Sequence, residues 1–183
     1  MVRKPKHGYG RNMNPCIDCR IFMLKKAKKY AHDTGASFIF TDEGLDERPM
    51  SQHMQAMNLI ETEAGLKGKI LRPLSAKLLP ETIMEKKRLV DREKLMDIHG
   101  RSRKRQIELA SKFAITDYPC PAGGCLLTCK EFASKLRDLF DHKKSVSLKD
   151  VNLLKLGRHL RFGENKIIVG RNEAENKKLL QIT

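Results

Sequence analysis

Two short apolar segments on either side of a helix-like stretch constrain the fold of this chain most strongly. The segments SFIF (37–40) and KILRPL (69–74) are short and apolar, as buried strands are. Between them, residues 51–65 carry apolar side chains at helical spacing, with Ser51 as the predicted N-terminal cap and Gly65 as the stop. A strand, a helix and a second strand in this order are typical of parallel sheets, so we predict an α/β domain.

The rest of the chain is predicted to extend this domain and to add a small module after it. Further helical patterns cover residues 17–35, 91–98, 103–115 and 131–142. A short helix, two strands around a GEN turn and a last helix then follow. The polar stretch 141–147 is the predicted boundary, which gives a first domain over residues 1–142 and a small α+β module over 147–183.

The chain carries a large excess of positive charge. Lys and Arg number 37 against 22 Asp and Glu, a formal net charge of +15 at pH 7 over 183 residues. An excess of this size indicates attraction to a polyanion, and nucleic acid is the partner that it favours. A basic surface that is only solvated, or that faces an acidic partner protein, would carry the same charge.

The sequence predicts no contact with a membrane. No apolar run approaches the roughly eighteen residues that a membrane span needs. The first ten residues, MVRKPKHGYG, are charged but lack the hydrophobic stretch of a signal peptide. With 40% hydrophobic residues the chain can form a core, so we expect a soluble, cytoplasmic protein.

Five cysteines form two groups that lie far apart in the sequence, Cys16 and Cys19, then Cys120, Cys125 and Cys129. In a reducing compartment this grouping favours metal or redox chemistry over structural disulfides. A CxxC pair at the start of a helix suits such chemistry, because the helix dipole and free amides stabilise thiolate. Three thiolates from distant segments suit an iron-sulfur cluster with one open iron, whereas zinc needs four ligands. Catalytic thiols and cysteines without a ligand stay open as alternatives.

A cluster of basic residues lies at the start of the helix predicted over 103–115. The segment HGRSRKRQ contains Arg101, Arg103, Lys104 and Arg105. Amides and guanidinium groups together can hold phosphate, so we predict that the first two bind a nucleotide cofactor and that the last two bind RNA. A basic helix face that is only solvated is the alternative.

The acidic loop DEGLDERPMSQ (42–52) follows the first predicted strand. Glu43 could act as an acid/base group or as a magnesium ligand, and Arg48 lies five residues after it. We therefore predict both as cofactor-binding residues. Carboxylates in exposed loops that only increase solubility are the alternative.

Several segments, taken in order, resemble one known family. They are GYGRNMNPCIDCRIFMLKKA, SFIFTDEGLDERPMSQ, LRPLSAKLLPET, VDREKLMDIHGRSRKRQIELA and DYPCPAGGCLLT. Together they resemble the PP-loop tRNA-thiolation proteins, relatives of the tRNA 2-thiouridine and 4-thiouridine synthetases. The resemblance implies the adenine nucleotide α-hydrolase fold, with a Rossmann-like parallel sheet of which this chain holds the C-terminal part. It also implies a reaction in which ATP adenylates a uridine carbonyl oxygen and sulfur then displaces AMP.

The same resemblance implies roles for the cysteines. Cys16 and Cys19 match the family's NPCxxC segment, and Cys125 matches the cysteine of its PAGGC segment. In such proteins these positions hold a cluster, or they act as the persulfide carrier and its partner. The implied catalytic residues are these three, and the implied ligands of a [4Fe–4S] cluster are the same three together with Cys120.

Two departures from the family concern ATP. The family's ATP loop, SGGxDS, is expected well upstream of the NPC segment, where this chain has only residues 1–13. In the acidic loop, Asp42 and Asp46 stand where the family has other residues, and aspartates beside a nucleotide repel its phosphates. We therefore expect ATP and magnesium to bind only if the missing N-terminal part is supplied, by a separate ATP-binding polypeptide; a truncated gene product is the alternative. A sulfur donor is the other expected partner besides tRNA.

The tail from Gly163, GENKIIVGRNEAENKKLL, resembles the start of the NFACT-type RNA-binding domain of ribosome-quality-control and fibronectin-binding-like proteins. It implies RNA contact through Arg171, Asn172 and nearby lysines; a hairpin and helix that only cap the domain are the alternative. The function favoured by all these patterns is tRNA thiolation, with this chain as the cysteine-bearing, RNA-binding part of a sulfurtransferase. The competing hypothesis is a non-catalytic RNA-binding protein with structural zinc, descended from such an enzyme.

Overall fold

The computed structural model describes residues 1–118 and 124–182, which belong to two compact units. The first unit comprises Met1, Arg3–Gly8 and the described residues of Pro15–Gly123. The second unit comprises Val2, Tyr9–Asn14 and the described residues of Gly124–Thr183. The stretch 141–147, predicted as a boundary, lies within the second unit.

The first unit contains the predicted strand, helix and strand. Its helices are α1 (Cys16–Thr34), α2 (Met54–Ala64), α3 (Ile83–Lys86) and α4 (Lys104–Lys112). Its strands are β1 (Ile39–Phe40) and β2 (Ile70–Leu71), and 3-10 turns cover Ala76–Leu78 and Arg92–Lys94. Among all the described residues of the chain, no helix combines the length and the apolar composition that crossing a membrane requires.

Strands β1 and β2 pair in parallel. Ile39 lies opposite Ile70, and Phe40 lies opposite Leu71. Helix α2 connects the two strands, and the core beside them consists of Ile21, Leu24, Ile60, Ala64, Leu66 and Ile70. The prediction of mixed helix and sheet with parallel strands is confirmed in this coarse form, with a two-stranded parallel sheet in the described residues.

The start of α2 differs from the prediction. Its N-cap is His53, whose side chain accepts a hydrogen bond from Ala56 N at 3.3 Å. Ser51, predicted as the cap, lies before the helix and is completely buried. The stop at Gly65 is confirmed: this residue has φ of +66°, and its N–H donates to the last carbonyls of the helix.

Residues 91–98 do not form the predicted helix. Only Arg92–Lys94 make a short 3-10 turn. Met96 N donates instead to Pro73 O (2.9 Å), and Ile98 N donates to Leu74 O (2.7 Å). These amides already have partners in the segment after β2, and this pairing replaces the helical hydrogen bonds.

The second unit contains a β-hairpin and helices. Its helices are α5 (Lys130–His142), α6 (Leu148–Leu153) and α7 (Glu173–Ile182), and a 3-10 turn covers Leu126–Thr128. Its strands, β3 (Arg158–Phe162) and β4 (Asn165–Val169), pair antiparallel, which confirms the predicted strands around the GEN turn. Its core consists of Met13, Phe132, Ala133, Leu136, Leu139 and Leu154.

Candidate functional site

The loop that follows β1 is built around a buried carboxylate, that of Glu43. This residue is 2% exposed. Arg20 Nε of α1 lies 3.2 Å from Glu43 Oε1, and Arg72 Nε, directly after β2, lies 3.0 Å from Oε2. Thr41 Oγ1 donates to the same Oε2 at 3.2 Å. The carboxylate therefore joins α1 to the carboxyl ends of both parallel strands.

Arg72 is shared between two carboxylates. Its Nη1 donates to Glu61 Oε1 on α2, and Glu61 Oε2 accepts a hydrogen bond from Gly68 N at 3.0 Å. Arg72 and Glu61 are both buried, so their charges are almost fully removed from water. Such burial is tolerated only when opposite charges and hydrogen bonds compensate it. Within the described residues, Arg72 Nη2 has no hydrogen-bond partner.

Cys16 is the first residue of α1 and is connected to the same loop. It is half-buried, and its Sγ donates a hydrogen bond to Ser51 Oγ at 3.0 Å. Ser51 and its neighbour Gln52 are almost completely buried. The contact of Cys16 with Ser51 and the pair of Arg20 with Glu43 therefore fix the start of α1 against the loop at two points.

Cys19 lies on the first turn of α1, three residues after Cys16. Its N–H donates to Pro15 O at 2.8 Å, and its Sγ lies 4.0 Å from Met23 Sδ. Between the two cysteines, the Asp18 carboxylate accepts hydrogen bonds from Lys6 N (2.9 Å) and from His7 N (3.0 Å). Residues 6 and 7 are thereby held against the helix start, beside the CxxC pair.

Ser75 connects the loop to two further segments. Its Oγ accepts a hydrogen bond from Leu45 N at 2.8 Å and donates one to Ile98 O. Gly100 N donates to Leu45 O at 2.8 Å, next to the bridge between Leu45 and His99. The completely buried Ser75 and these backbone hydrogen bonds therefore hold the loop against the segment that precedes α4.

Of the predicted phosphate-binding residues, Arg103 is held to the loop. Its Nη2 lies 2.9 Å from Glu47 Oε1. Arg105 pairs instead with Asp97 at 2.7 Å in an exposed position. The other three, which are Arg48, Arg101 and Lys104, are exposed. The structure thus brings Cys16, Glu43 and Arg103 to one loop, although Glu43 is enclosed by arginines rather than open to a ligand.

The cysteines of the second group lie differently. Cys125 belongs to the second unit and is exposed, and Cys120 lies outside the described residues. Cys129 caps the start of α5, and its Sγ donates to Glu131 Oε2 at 2.9 Å. Within residues 1–118 and 124–182, no three His, Cys, Asp or Glu side chains are grouped as metal ligands. The predicted cluster of thiolates stays a prediction.

The two residues predicted to bind RNA in the tail organise the start of α7. Arg171 Nε lies 3.0 Å from Glu175 Oε1, and Asn172 Oδ1 accepts a hydrogen bond from Glu175 N at 2.9 Å. The hydrogen bonds from the Arg171 side chain lower the pKa of Glu175 to about 2. Both side chains therefore have local partners in this structure.

Sequence reasoning missed Arg20, Glu61 and Arg72. Arg20 lies four residues after Cys16, so the two share one face of α1, and this spacing was a usable signal. Arg72 directly follows β2, at the end of a parallel strand where ligand-site residues collect. Glu61 lies in the middle of a helical pattern, and nothing in its position distinguished it from a surface residue.

Comparisons with protein-family models, with curated proteins and with solved structures found no match for this chain.

Proposed function

We propose that this chain is the cysteine-bearing, RNA-binding part of a PP-loop-type tRNA sulfurtransferase, in which sulfur is transferred to an ATP-activated uridine. The observation that carries the proposal is the hydrogen bond from Cys16, at the start of α1, to Ser51 in the loop after β1. In open α/β sheets, ligands bind beside the carboxyl ends of the strands. A reactive sulfur at this position lies where such a fold places its chemistry.

Helix α1 provides a suitable environment for sulfur chemistry. The first amides of a helix lack partners within it, and its dipole favours negative charge at this end. Cys16 is the first residue of this 19-residue helix, and Cys19 is on the same turn. Residues three apart on a helix are neighbours on its surface, so the two sulfurs can act on one transferred sulfur atom or one metal.

The proposed reaction has two steps. The uridine carbonyl oxygen attacks the α-phosphorus of ATP and pyrophosphate leaves; a sulfur nucleophile then attacks the carbonyl carbon, and AMP leaves with the oxygen. If the nucleophile is a persulfide on Cys16, the Cys19 thiolate attacks Cys16 Sγ and releases the thiolated uridine. The resulting disulfide returns to thiols by exchange with an external dithiol.

Thiolate ligands also suit an iron-sulfur cluster or zinc. Cys16 and Cys19 would hold one side of such a group, with Cys125 and Cys120 as the predicted further ligands. With Cys16, Cys19 and Cys125 alone as ligands, a bound [4Fe–4S] cluster would have one open iron for hydrosulfide, whereas Cys120 as a fourth ligand would close that position. In the persulfide route Cys16 would carry the transferred sulfur, in the cluster route Cys16 and Cys19 would hold the cluster, and the partners in both are tRNA and a sulfur donor.

We also propose that the two-stranded sheet is part of a larger Rossmann-like sheet, whose ATP loop acts together with these residues in the cytoplasm. Parallel strands occur almost only in sheets covered on both faces by helices, usually with more strands than two. The net charge of +15 supports tRNA as the polyanion that the complex binds.

Anaerobic purification followed by metal and sulfide analysis tests the cysteine site. We expect about four irons and about four sulfides per chain in the wild type. The variants Cys16→Ser and Cys19→Ser should lose them, whereas Cys129→Ser, whose sulfur contacts Glu131, should retain them. If the wild type holds no iron, the cluster route is excluded, and an assay for persulfide on Cys16 tests the remaining route. A chain with zinc, or with neither group, would overturn the proposal in favour of an RNA-binding protein.

A further inference from the structure

The hairpin of β3 and β4 has one face that is not covered by the described residues. Side chains alternate along a strand, and directly paired residues share a face. The cross-strand pairs Leu160 with Ile167 and Arg158 with Val169 place these four on one side. We call this side, with Phe162 and Asn165 at the turn, the outer face.

The opposite side of the hairpin is fixed to helix α5. Arg161 donates to both carboxylate oxygens of Asp138 (2.9 and 2.8 Å), and Lys166 Nζ lies 2.7 Å from Asp138 Oδ2. Lys135 Nζ donates to Gly157 O at 2.9 Å, just before β3. These bonds hold the hairpin in one orientation, so the outer face is a rigid surface and not a mobile loop.

The outer face is apolar at its centre and strongly exposed. Phe162 is 80% exposed, Leu160 58%, and Ile167 and Val169 48% each. Single exposed apolar residues need no explanation, whereas a contiguous group of them on regular structure is a candidate for an interaction site. An exposed aromatic ring beside aliphatic side chains is the surface on which nucleic-acid bases stack.

Charge favours RNA as the occupant. The segment 124–182 contains 13 Lys and Arg against 7 Asp and Glu. Arg158 lies on the outer face itself, is exposed, and makes no ion pair with another described residue. Its guanidinium can therefore contact a phosphate or stack on a base, as arginine does in single-strand binding sites.

Size argues against a second copy of the chain. Strands of five residues are about 17 Å long and lie about 5 Å apart, so the outer face is small. A stable protein interface needs about 800 Å² per partner, well beyond what these few side chains offer. Two or three stacked bases match the dimensions of the outer face.

We propose that the outer face binds unpaired RNA bases, with Phe162 as the stacking residue and Arg158 as its charged neighbour. This inference rests on the proposed function, since it names the surface through which the chain contacts tRNA. It assigns RNA contact to residues that the resemblance did not indicate, while Arg171 and Asn172 stabilise the start of α7.

Fluorescence anisotropy with the full chain and a labelled single-stranded oligouridylate tests the proposal. Phe162→Ala should weaken binding about tenfold. The matched control is Leu148→Ala, which removes an apolar side chain of similar exposure (83%) from α6. Leu148→Ala should bind the oligouridylate as tightly as the wild type does. In a separate competition experiment, a duplex RNA should displace the labelled single strand from the wild type only poorly.

A second variant reports stacking directly. The chain has no tryptophan, so Phe162→Trp introduces a single fluorophore on the outer face. Its emission should be quenched by the oligouridylate with the same midpoint as the anisotropy, whereas Leu148→Trp should not respond. If Phe162→Ala binds the oligouridylate as tightly as the wild type does, the outer face is not the RNA-binding surface, and the proposed function is unaffected. A wild type that binds neither the oligouridylate nor tRNA would refute this inference and the RNA-binding part of the proposed function. Dimerisation abolished by Phe162→Ala would assign the face to a second copy instead.

Discussion

Glu43 is the side chain whose charge the site depends on most. Its carboxylate balances Arg72 and Arg20, and the first of these is 4% exposed. Glu43→Gln keeps the shape of the side chain but removes its negative charge. The buried guanidinium of Arg72 then has less negative charge beside it. We expect the free energy of unfolding to fall by about 3 kcal/mol, measured by urea denaturation with circular dichroism.

The control for this prediction is Glu108→Gln, an equal change of charge at an exposed position on α4. It should alter the free energy of unfolding by less than about 0.5 kcal/mol. Equal stabilities for Glu43→Gln and Glu108→Gln would show that the buried network contributes little to the fold.

Single residues of the site could be predicted from the sequence, whereas the contacts between them could not. The CxxC spacing singled out Cys16, and the acidic loop singled out Glu43, because both stand out locally in the sequence. Their connection through Arg20 and Ser51 depends on how α1 packs against the loop after β1. That packing involves residues more than twenty positions apart, and no local pattern encodes it.

Asp138 fixes the hairpin of β3 and β4 to helix α5. The hydrogen bonds from Arg161, and then those from Lys166, hold the pKa of Asp138 well below its usual value of 3.8, although partial burial opposes this. A lowered pKa stabilises the fold above pH 3.8 and loses that contribution as the pH falls further. We therefore expect the second unit to lose stability below about pH 4, in urea denaturation curves recorded at a series of pH values.

The variant Asp138→Asn tests this pH dependence. It should be less stable than the wild type by about 2 kcal/mol at pH 7 and should show a smaller loss of stability between pH 4 and pH 2. Asp141→Asn, an exposed change on the same helix, serves as the control. A pH profile of Asp138→Asn that parallels the wild type would contradict the role given to this carboxylate.

Elements stabilised by local interactions were the ones that sequence patterns predicted well. Strands β3 and β4 alternate in burial and meet at a GEN turn, and the sequence pattern predicted two strands around this turn. Residues 91–98 have an adequate helical pattern, but their amides bond to the segment after β2 instead. Non-local pairing of this kind outweighs helix propensity, which is worth less than about 1 kcal/mol per residue.

The net charge of +15 on the chain makes its affinity for RNA depend on the salt concentration. Neutralising phosphates releases condensed counterions, and for single strands the logarithm of the binding constant falls by about 0.7 per contact for each tenfold rise in salt. With about four phosphate contacts, affinity for the oligouridylate should fall about fiftyfold between about 50 and 200 mM salt. Anisotropy titrations at several salt concentrations give this slope.

The salt dependence of binding also distinguishes the contribution of charge from that of base stacking on the outer face. Arg158→Ala removes one cation, so its slope should be shallower by about 0.7, while its affinity at high salt should approach that of the wild type. Phe162→Ala removes an uncharged ring and should lower affinity equally at every salt concentration, with the slope unchanged. A flat salt dependence for the wild type would mean that the excess charge of the chain does not contact phosphate. An altered slope for Phe162→Ala would mean that the ring positions the cations and does not stack.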